Sequence, residues 1–317
     1  MKIVIPGGSG QVGTVLARAF HRDGHQVVIL SRRPGIQPWR TVAWDGATLG
    51  SWRSEIDGCD VVINLAGRSV NCRYNDANRR EILQSRVLST RVVGQAIAHA
   101  ARQPRVWLQA STATIYAHRY DYANDERCGI LGGQEAHAPS TWRFSIDVAR
   151  AWERAFDEAI AGRTRKIALR SAMTLSPDVG GIFDTLFGLV RRGFGGSAAS
   201  GLQFISWIHY EDFVAALRWL IDREDIDGVV NVSAPNPLPN AEFMEILRDA
   251  SGAPFGLPAT KWMLEIGALF MRTETELILK SRRVVPARLL EGGFTFKYPQ
   301  WREAAGNLCQ QWSALHP

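Results

Sequence analysis

A glycine-rich segment directly behind a short apolar run is the feature of this 317-residue chain that most constrains its fold. Ile3-Val4-Ile5 is followed by Pro6-Gly7-Gly8-Ser9-Gly10-Gln11-Val12-Gly13, a GxxGxxG spacing. The pattern predicts a turn from a buried strand into a helix whose N-terminal amides face a pyrophosphate. A plain glycine loop is the alternative. We predict a dinucleotide-binding turn with contacts from Gly7, Gly10, Gln11, Val12 and Gly13.

The residues that follow the turn support this interpretation and suggest which dinucleotide is bound. An apolar helical face leads to Gly24, and a second strand runs from about residue 26 to 30. That strand ends in Ser31-Arg32-Arg33, without the carboxylate that usually binds an NAD ribose. A guanidinium can instead clamp a 2′-phosphate. We predict NADP(H), with Ser31, Arg32 and then Arg33 at the phosphate; the alternative is that both arginines are solvated loop charges.

Strand-like and helix-like segments alternate through the first two-thirds of the chain, which predicts an α/β fold with a doubly wound parallel sheet. Further strands are expected at 41–44, 60–65, 106–110, 167–171 and 229–233, giving about seven. Helices are expected at about 76–101, along the stripe of Val148, Trp152, Phe156 and Ile160, and at 211–222. Glycine-rich stretches interrupt the pattern from about residue 176. We predict a Rossmann domain at 1–175, to which 205–235 return, and a smaller, mostly helical C-terminal substrate lobe at 176–204 and 236–317.

Charge and cysteine usage restrict the class of partner. The net charge of +6 comes from scattered arginines without a basic run, so nucleic acid is not expected. The four cysteines form no metal-ligand cluster and no disulfide framework, which favours a reducing cytoplasm. No signal peptide is recognisable, and the apolar segment 262–271 is too short to span a membrane. We expect a cytoplasmic protein, monomeric or homodimeric, without metal, whose partner is a small-molecule substrate.

Several motifs resemble the extended short-chain dehydrogenase/reductase superfamily: the glycine turn, Asn64-Leu65-Ala66-Gly67 and Ser111-Thr112-Ala113-Thr114-Ile115-Tyr116. More narrowly, Ser206-Trp207-Ile208-His209, Asn231-Val232-Ser233-Ala234-Pro235-Asn236-Pro237 and the segment 284–294 resemble the atypical branch of epimerase family proteins. The resemblance implies an NADP(H)-binding Rossmann domain with a C-terminal lobe that closes a substrate cleft. It also implies cofactor contacts from Asn64, Leu65, Ala66, Gly67 and Ser111.

The chain departs from the superfamily in its proton-transfer residues. The resemblance implies a Tyr-x-x-x-Lys pair, in which the lysine lowers the pKa of the tyrosine so that the phenol exchanges a proton with the substrate. Lysine stands four residues after none of the six tyrosines, which are Tyr74, Tyr116, Tyr120, Tyr122, Tyr210 and Tyr298. Phe144 occupies the tyrosine slot and Val148 the lysine slot, and neither side chain has a proton that it can exchange with a substrate.

Three other residues are candidates for the missing chemistry. Thr112 matches the superfamily's Ser/Thr that hydrogen-bonds the substrate oxygen, although a strand-end hydroxyl can also cap the backbone. Tyr116 can replace the lost phenol or merely pack. His209 can exchange a proton near neutral pH, or be a buried histidine satisfied by its neighbours. Arg86 can meet an anionic substrate or a backbone carbonyl, and we favour the structural role; Asp147 is expected to be solvated.

These observations leave two functional hypotheses. The first is an NADP(H)-dependent oxidoreductase, or an epimerase acting through a transient ketone, with a small carbonyl or hydroxyl substrate and no Tyr-x-x-x-Lys pair. The alternative is a non-catalytic NADP(H)-binding protein with a redox-sensing or regulatory role. The sequence does not identify the substrate.

Overall fold

A parallel sheet of seven strands forms the centre of the fold. The structure, a computed structural model, describes residues 1–135, 138–260 and 275–316. Its strands are β1 Lys2–Pro6, β2 Gln26–Ser31, β3 Arg40–Ala43, β4 Val61–Asn64, β5 Val106–Thr112, β6 Arg165–Ser171, β7 Met173–Leu175, β8 Phe204–Ile205, β9 Trp207–His209, β10 Gly228–Val232 and β11 Leu238–Pro239. The sheet has the order β10-β6-β5-β4-β1-β2-β3, and all its neighbouring strands are parallel. The predicted doubly wound sheet of seven strands is confirmed.

Helices connect and cover the strands. The α-helices in the described part of the chain are α1 Gln11–Arg22, α2 Asp76–His99, α3 Arg143–Asp157, α4 Ile182–Arg191, α5 Tyr210–Asp222, α6 Asn240–Ser251, α7 Glu276–Leu279, α8 Ala287–Glu291 and α9 Trp301–Leu315. Short 3₁₀ turns lie at Ser51–Glu55, Ala113–Ile115 and Ser140–Trp142. Two further pairings, β7 with β9 and β8 with β11, lie outside the main sheet and were not predicted.

The period-two alternation of strand side chains divides the core into two layers. In β1, Ile3 and Ile5 pack with α1 and α5 on one face, whereas Val4 packs with α2 and α3 on the other. All three side chains are fully buried. A parallel sheet covered on both faces needs such continuously apolar strands, because neither face is left to water.

A third apolar cluster occupies the C-terminal part of the molecule. It combines α4, α6 and α9 with Trp207 of β9, and the Phe243 and Trp301 rings stack at 4.1 Å between centroids. Helices therefore dominate this part of the chain, as predicted. Because Trp207 and Ala234 were assigned to the Rossmann domain yet join this cluster, the boundary between the two units stays a prediction.

Some predicted boundaries were wrong. Helix α3 ends at Asp157, so Ile160 does not continue its apolar stripe and is 80% exposed. Strand β5 extends to Thr112, two residues beyond the prediction. The apolar segment 262–271 lies outside the described residues. Within the residues that are described, no helix has the length and apolar character needed to cross a membrane.

Candidate nucleotide and substrate site

The glycine turn between β1 and α1 is tightly packed at two of its three predicted glycines. Gly7 has a φ of +74°, and a Cβ there would lie 2.5 Å from the Cα of Ala66. A Cβ on Gly13 would lie 2.4 Å from the backbone of Gly8. Gly8 itself, which we did not predict as a site residue, packs against Ile5 and Ile29. These glycines allow the turn, the helix and the loop after β4 to approach one another closely.

Gly10 differs from the other glycines in the turn because open space surrounds it. The nearest atom to a Cβ built at this residue is the carbonyl oxygen of Gly7, 4.0 Å away. Gly10 is also the N-cap of α1, and no side chain caps the helix amides. An uncapped helix N-terminus beside open backbone is the arrangement that binds a pyrophosphate. The turn therefore fits the phosphates of a dinucleotide.

Gln11 connects the turn to the loop that follows β7. Its Nε2 donates to Ser176 Oγ at 3.0 Å, and that hydroxyl donates to Asp178. Arg18, about two turns further along α1, forms an ion pair with Asp178 at 3.0 Å. The loop after β7 is therefore fastened to the first helix beside the phosphate-binding end, and the Gln11 amide is engaged with protein rather than exposed.

The end of β2 presents the predicted phosphate-binding arginines. Ser31 is buried, and its hydroxyl lies 3.1 Å from Ser9 Oγ and 3.2 Å from the Arg33 amide nitrogen that donates to it. Arg32 and Arg33 are exposed, and neither forms an ion pair with another described residue. Arg32 lines a pocket with Trp44 at the end of β3. Both guanidinium groups are therefore available to a 2′-phosphate.

The loop after β4 forms the next wall of the site. Asn64 is fully buried, where its side chain donates to Gln109 Oε1 at 2.9 Å and accepts from the Ala66 amide at 3.1 Å. Gly67 packs on the guanidinium of Arg86. Arg86 donates to the carbonyls of Arg68 and Ile82, and burial lowers its pKa to about 10. Its structural role in holding this loop agrees with the prediction.

A buried polar network lies below the end of β5. Ser111 donates to Glu153 Oε1 at 2.6 Å, and Glu153 pairs with Arg170 of β6 at 2.7 Å. Although burial disfavours its charge, the hydrogen bonds from Arg170 to Glu153 raise the pKa of this guanidinium. The Ser111 hydroxyl is therefore hydrogen-bonded within the protein, and the network connects α3 to the neighbouring strands β5 and β6.

The hydroxyl groups of Thr112 and Tyr116 differ in how many hydrogen bonds they already form within the protein. Thr112 Oγ1 accepts from the Thr114 amide at 3.2 Å, which leaves its hydroxyl hydrogen for another acceptor. The Tyr116 hydroxyl donates to Asn231 Oδ1 at 2.9 Å and accepts from Arg170 at 3.0 Å. Tyr116 is also only 2% exposed. Its contacts therefore agree with the packing alternative, whereas Thr112 keeps both predicted roles open.

His209 lies away from this end of the site in a closed environment. It is fully buried beneath the Tyr298 ring, and both of its nitrogens are engaged, Nε2 with Asn307 and Nδ1 with the Glu211 amide at the start of α5. Burial lowers the pKa of His209 to about 4. These contacts describe a neutral helix cap, and they provide no support for the predicted proton exchange.

The tyrosine slot of the missing pair, Phe144, contacts α2 and the loop before it. Val148 is buried, whereas half-buried Phe144 lies between the Tyr74 ring, at 5.1 Å between centroids, and the Arg79 guanidinium, at 4.8 Å. Asp147 is exposed and lies 3.6 Å from Arg143, as expected of a solvated residue. A tyrosine from another part of the chain therefore contacts the slot that has lost its own.

Tyr74 was not predicted as a site residue. Its hydroxyl is hydrogen-bonded to Ser145, whose own hydroxyl donates to Glu276 of α7 at 2.6 Å. Burial, together with the Glu276 charge, raises the pKa of Tyr74 to about 12, so the phenol is protonated at neutral pH. Tyr74 lies in a loop without periodicity, and Glu276 is 202 positions away (276 − 74), so no local pattern pointed to this pair.

The C-terminal segment also supplies two cations that we did not predict. Lys280 Nζ donates to the Thr114 carbonyl at 2.8 Å, and Arg282 Nε donates to Thr114 Oγ1 at 3.1 Å. Both therefore reach the turn that follows β5. The run Lys280-Ser281-Arg282-Arg283 was the available sequence signal, since lysine is otherwise scarce in this chain.

The fold and this site together define a Rossmann-type nucleotide-binding protein, with the glycine turn and the ends of β2, β4 and β5 at the carboxyl edge of the sheet. No group of three or more potential metal ligands is present in the described ranges. The model of the NAD dependent epimerase/dehydratase family matches residues 3–233, and the chain belongs to this family. A domain of unknown function, DUF1731, matches residues 259–308.

Known proteins resemble the chain over nearly its whole length. Epimerase family protein SDR39U1 from Bos taurus is 31% identical over 304 residues, covering 95% of this chain and 97% of that protein. Epimerase family protein YfhF from Bacillus subtilis is 29% identical, covering 97% and 98%. The crystal structure of human SDR39U1 with NADPH has a TM-score of 0.85 at 27% identity, covering 98% and 99%. The ligand of that human protein agrees with the cofactor predicted from Arg32 and the glycine turn.

Proposed function

We propose that the protein is an NADP(H)-dependent oxidoreductase that acts on a small carbonyl or hydroxyl compound. One observation carries the proposal: the loop after β4, which packs on Gly7 of the glycine turn through Ala66, also carries Tyr74, whose ring contacts Phe144 in the slot of the usual tyrosine. A nucleotide site and a proton-carrying hydroxyl therefore occur at the same edge of the sheet.

The residues of the turn and of β2 fit the predicted cofactor. The amides at the start of α1 and the open backbone at Gly10 would hold the pyrophosphate, and Arg32 and Arg33 would hold the 2′-phosphate. The NADPH in the human relative supports this choice. When bound, the nicotinamide supplies or accepts the hydride.

The chain's own side chains would position the substrate oxygen and move its proton. Thr112 has a hydroxyl hydrogen to donate to that oxygen. Tyr74 is protonated at neutral pH, and Ser145 links its hydroxyl to the Glu276 carboxylate. In the oxidation direction, Tyr74 can therefore take the proton of a substrate hydroxyl while its own proton passes through Ser145 to Glu276; reduction returns the proton from the protonated Glu276 carboxyl. Phe144 and Val148 keep the surrounding wall apolar.

Steady-state NADPH oxidation over a panel of carbonyl compounds and sugar nucleotides tests the proposal. We expect Tyr74→Phe and Thr112→Val each to lower kcat/KM by about 10²–10⁴-fold, while the NADPH dissociation constant stays unchanged. Tyr122→Phe is the matched control, because Tyr122 is 73% exposed. Full activity in both site variants, or absence of turnover across the panel at saturating NADPH, would contradict the proposal.

A non-catalytic NADP(H)-binding protein is the second candidate, and Phe144 and Val148 in the proton-transfer slots favour it. Cofactor binding could then carry a signal only through different affinities for two conformations. NADPH binding without turnover, together with different hydrogen-exchange patterns for the NADPH and NADP⁺ complexes, would support this function. Steady turnover that Thr112→Val abolishes would remove it.

A further inference from the structure

Lys280 is a buried cation whose environment the proposed reaction does not explain. Its side chain is 1% exposed, and Nζ donates to one carbonyl oxygen, that of Thr114, at 2.8 Å. It forms no ion pair with any described residue. An ammonium group has three N–H donors, and its burial is costly unless charge and hydrogen bonds compensate. Lys280 therefore has unused binding capacity.

No neighbouring carboxylate forms an ion pair that neutralises the Lys280 ammonium among the described residues. Arg282 lies close enough to disfavour a second positive charge, and burial together with Arg282 lowers the pKa of Lys280 to about 8. Glu276 and Glu135 act in the opposite direction. Each of these carboxylates is nevertheless engaged elsewhere: Glu276 accepts from Ser145, and Glu135 accepts from the backbone amides of His118 and Gly133 at 2.8 and 2.6 Å.

Lys280 lines a cavity at the start of α3. Trp142, Arg143 and Ile146 form the helix side of this cavity, and Gly133 and Glu135 form the loop side. The 3₁₀ turn Ser140–Trp142 leads directly into α3, and Trp142, the N-cap residue, provides no side-chain cap. The positive end of the dipole of this 15-residue helix therefore lies at the cavity together with the Lys280 and Arg143 side chains.

We propose that this cavity binds an anionic oxygen group of the substrate, a carboxylate or a phosphate, through Lys280, Arg143 and the N-terminus of α3. The inference rests on the proposed function and names its substrate class. Thr114, which holds the Lys280 ammonium, is two residues from Thr112, and α3 carries Phe144 and Ser145 in the same turn. An anionic group bound here would leave the rest of a small molecule beside the reacting hydroxyl groups.

Inorganic phosphate and malonate serve as probes, titrated into the NADPH-saturated protein at constant ionic strength and followed by tryptophan fluorescence. We expect saturable binding of at least one probe, weakened at least tenfold by Lys280→Met. Lys297→Met is the control, because Lys297 is exposed and pairs with Glu211. Binding of phosphate alone, or of malonate alone, would identify the preferred group. Absence of saturable binding, or equal binding by Lys280→Met, would overturn the proposal.

A second measurement does not depend on a buried variant that folds. The chain has five lysines, so NMR of protein labelled at lysine Cε and Nζ gives a small set of signals, and Lys→Arg variants of the other four assign Lys280 by elimination. The Lys280 signal should shift with probe concentration while that of Lys297 stays constant. An unchanged Lys280 signal would overturn the proposal.

NADPH fluorescence titration of the same samples separates this inference from the proposed function. Phosphate or malonate binding at Lys280 in a protein that binds no NADPH would refute the proposed function alone. Tight NADPH binding without either probe would refute the anionic subsite alone.

Discussion

Gly10 and Gly13 lie three residues apart in one turn but have different surroundings, and exchanging each for alanine should separate cofactor binding from folding. A Cβ on Gly10 enters open space at an ordinary φ of −79°, so Gly10→Ala should change the free energy of unfolding by less than about 0.5 kcal/mol. The same Cβ would occupy the space that the pyrophosphate needs, so NADPH affinity should fall.

Gly13→Ala should instead lower the stability of the fold, because the added Cβ would lie 2.4 Å from the Gly8 backbone. We expect a loss of about 1–3 kcal/mol in the free energy of unfolding, measured by urea denaturation without cofactor. Comparable losses of stability in the two variants would contradict these different roles.

Arg32 determines the choice of cofactor in our interpretation. Its guanidinium is exposed and has no carboxylate partner in the described chain, so Arg32→Ala removes a 2′-phosphate contact without breaking an ion pair. A charge-assisted hydrogen bond contributes about 1.5–3 kcal/mol, which predicts a roughly 10- to 150-fold weaker NADPH complex and unchanged NADH affinity. Fluorescence titration of both cofactors measures this, with the exposed Arg22→Ala as the matched control. Equal losses for NADPH and NADH would show that Arg32 does not read the 2′-phosphate.

At the scale of single elements, His209 connects strand β9 to helix α5 as a neutral cap. Since burial lowers its pKa from 6.5 to about 4, the unfolded chain binds a proton as the pH falls below 6.5 while the folded protein does not. The stabilising contribution of neutral His209 is therefore complete above pH 6.5 and decreases progressively towards pH 4.

This linkage predicts a loss of about 2 kcal/mol in the free energy of unfolding between pH 7.5 and 5 that depends on His209. His209→Asn retains a side-chain acceptor at the N-cap but has no group that titrates. Chemical denaturation of both proteins at the two pH values gives the difference. An equally large pH effect in His209→Asn would show that other groups cause it.

At the scale of the whole molecule, the C-terminal segment is bonded on both sides to earlier parts of the chain. The Asn124 amide donates to the Arg283 carbonyl at 2.7 Å, and the Val285 amide donates to the Asn124 carbonyl at 3.0 Å. On the other side, the Arg282 amide donates to the Phe204 carbonyl at 2.8 Å. The C-terminal segment is thus bonded to residues that precede it by 78 positions at Phe204 (282 − 204) and by about 160 positions at Asn124.

We therefore expect the segment 281–286 to unfold together with the central sheet. Hydrogen exchange measured by mass spectrometry should give peptides from this segment the same slow, global exchange as peptides from β5, since both report one cooperative unit. Exchange of the C-terminal segment well before β5 would show that the site can open without unfolding the sheet.

The sequence by itself determined the sheet and the glycine turn after β1, because those features depend on local patterns. Mainly apolar segments of three to six residues predicted the strands, and the glycine spacing predicted the turn that the structure confirms. Helix ends were less certain: Ile160 fits the apolar stripe of α3, yet the helix ends three residues before it.

Only the tertiary structure decided which side chains contact Phe144, in the slot of the missing tyrosine, and which reach the turn after β5. Tyr74 lies on a loop, and Glu276, Lys280 and Arg282 lie in the C-terminal segment, and no periodicity connects them with Phe144. The role of His209 also depended on distant contacts, with Asn307 and Tyr298 closing its environment. Local patterns follow from backbone geometry and burial, whereas a site built from separate segments exists only once long-range packing brings those segments together.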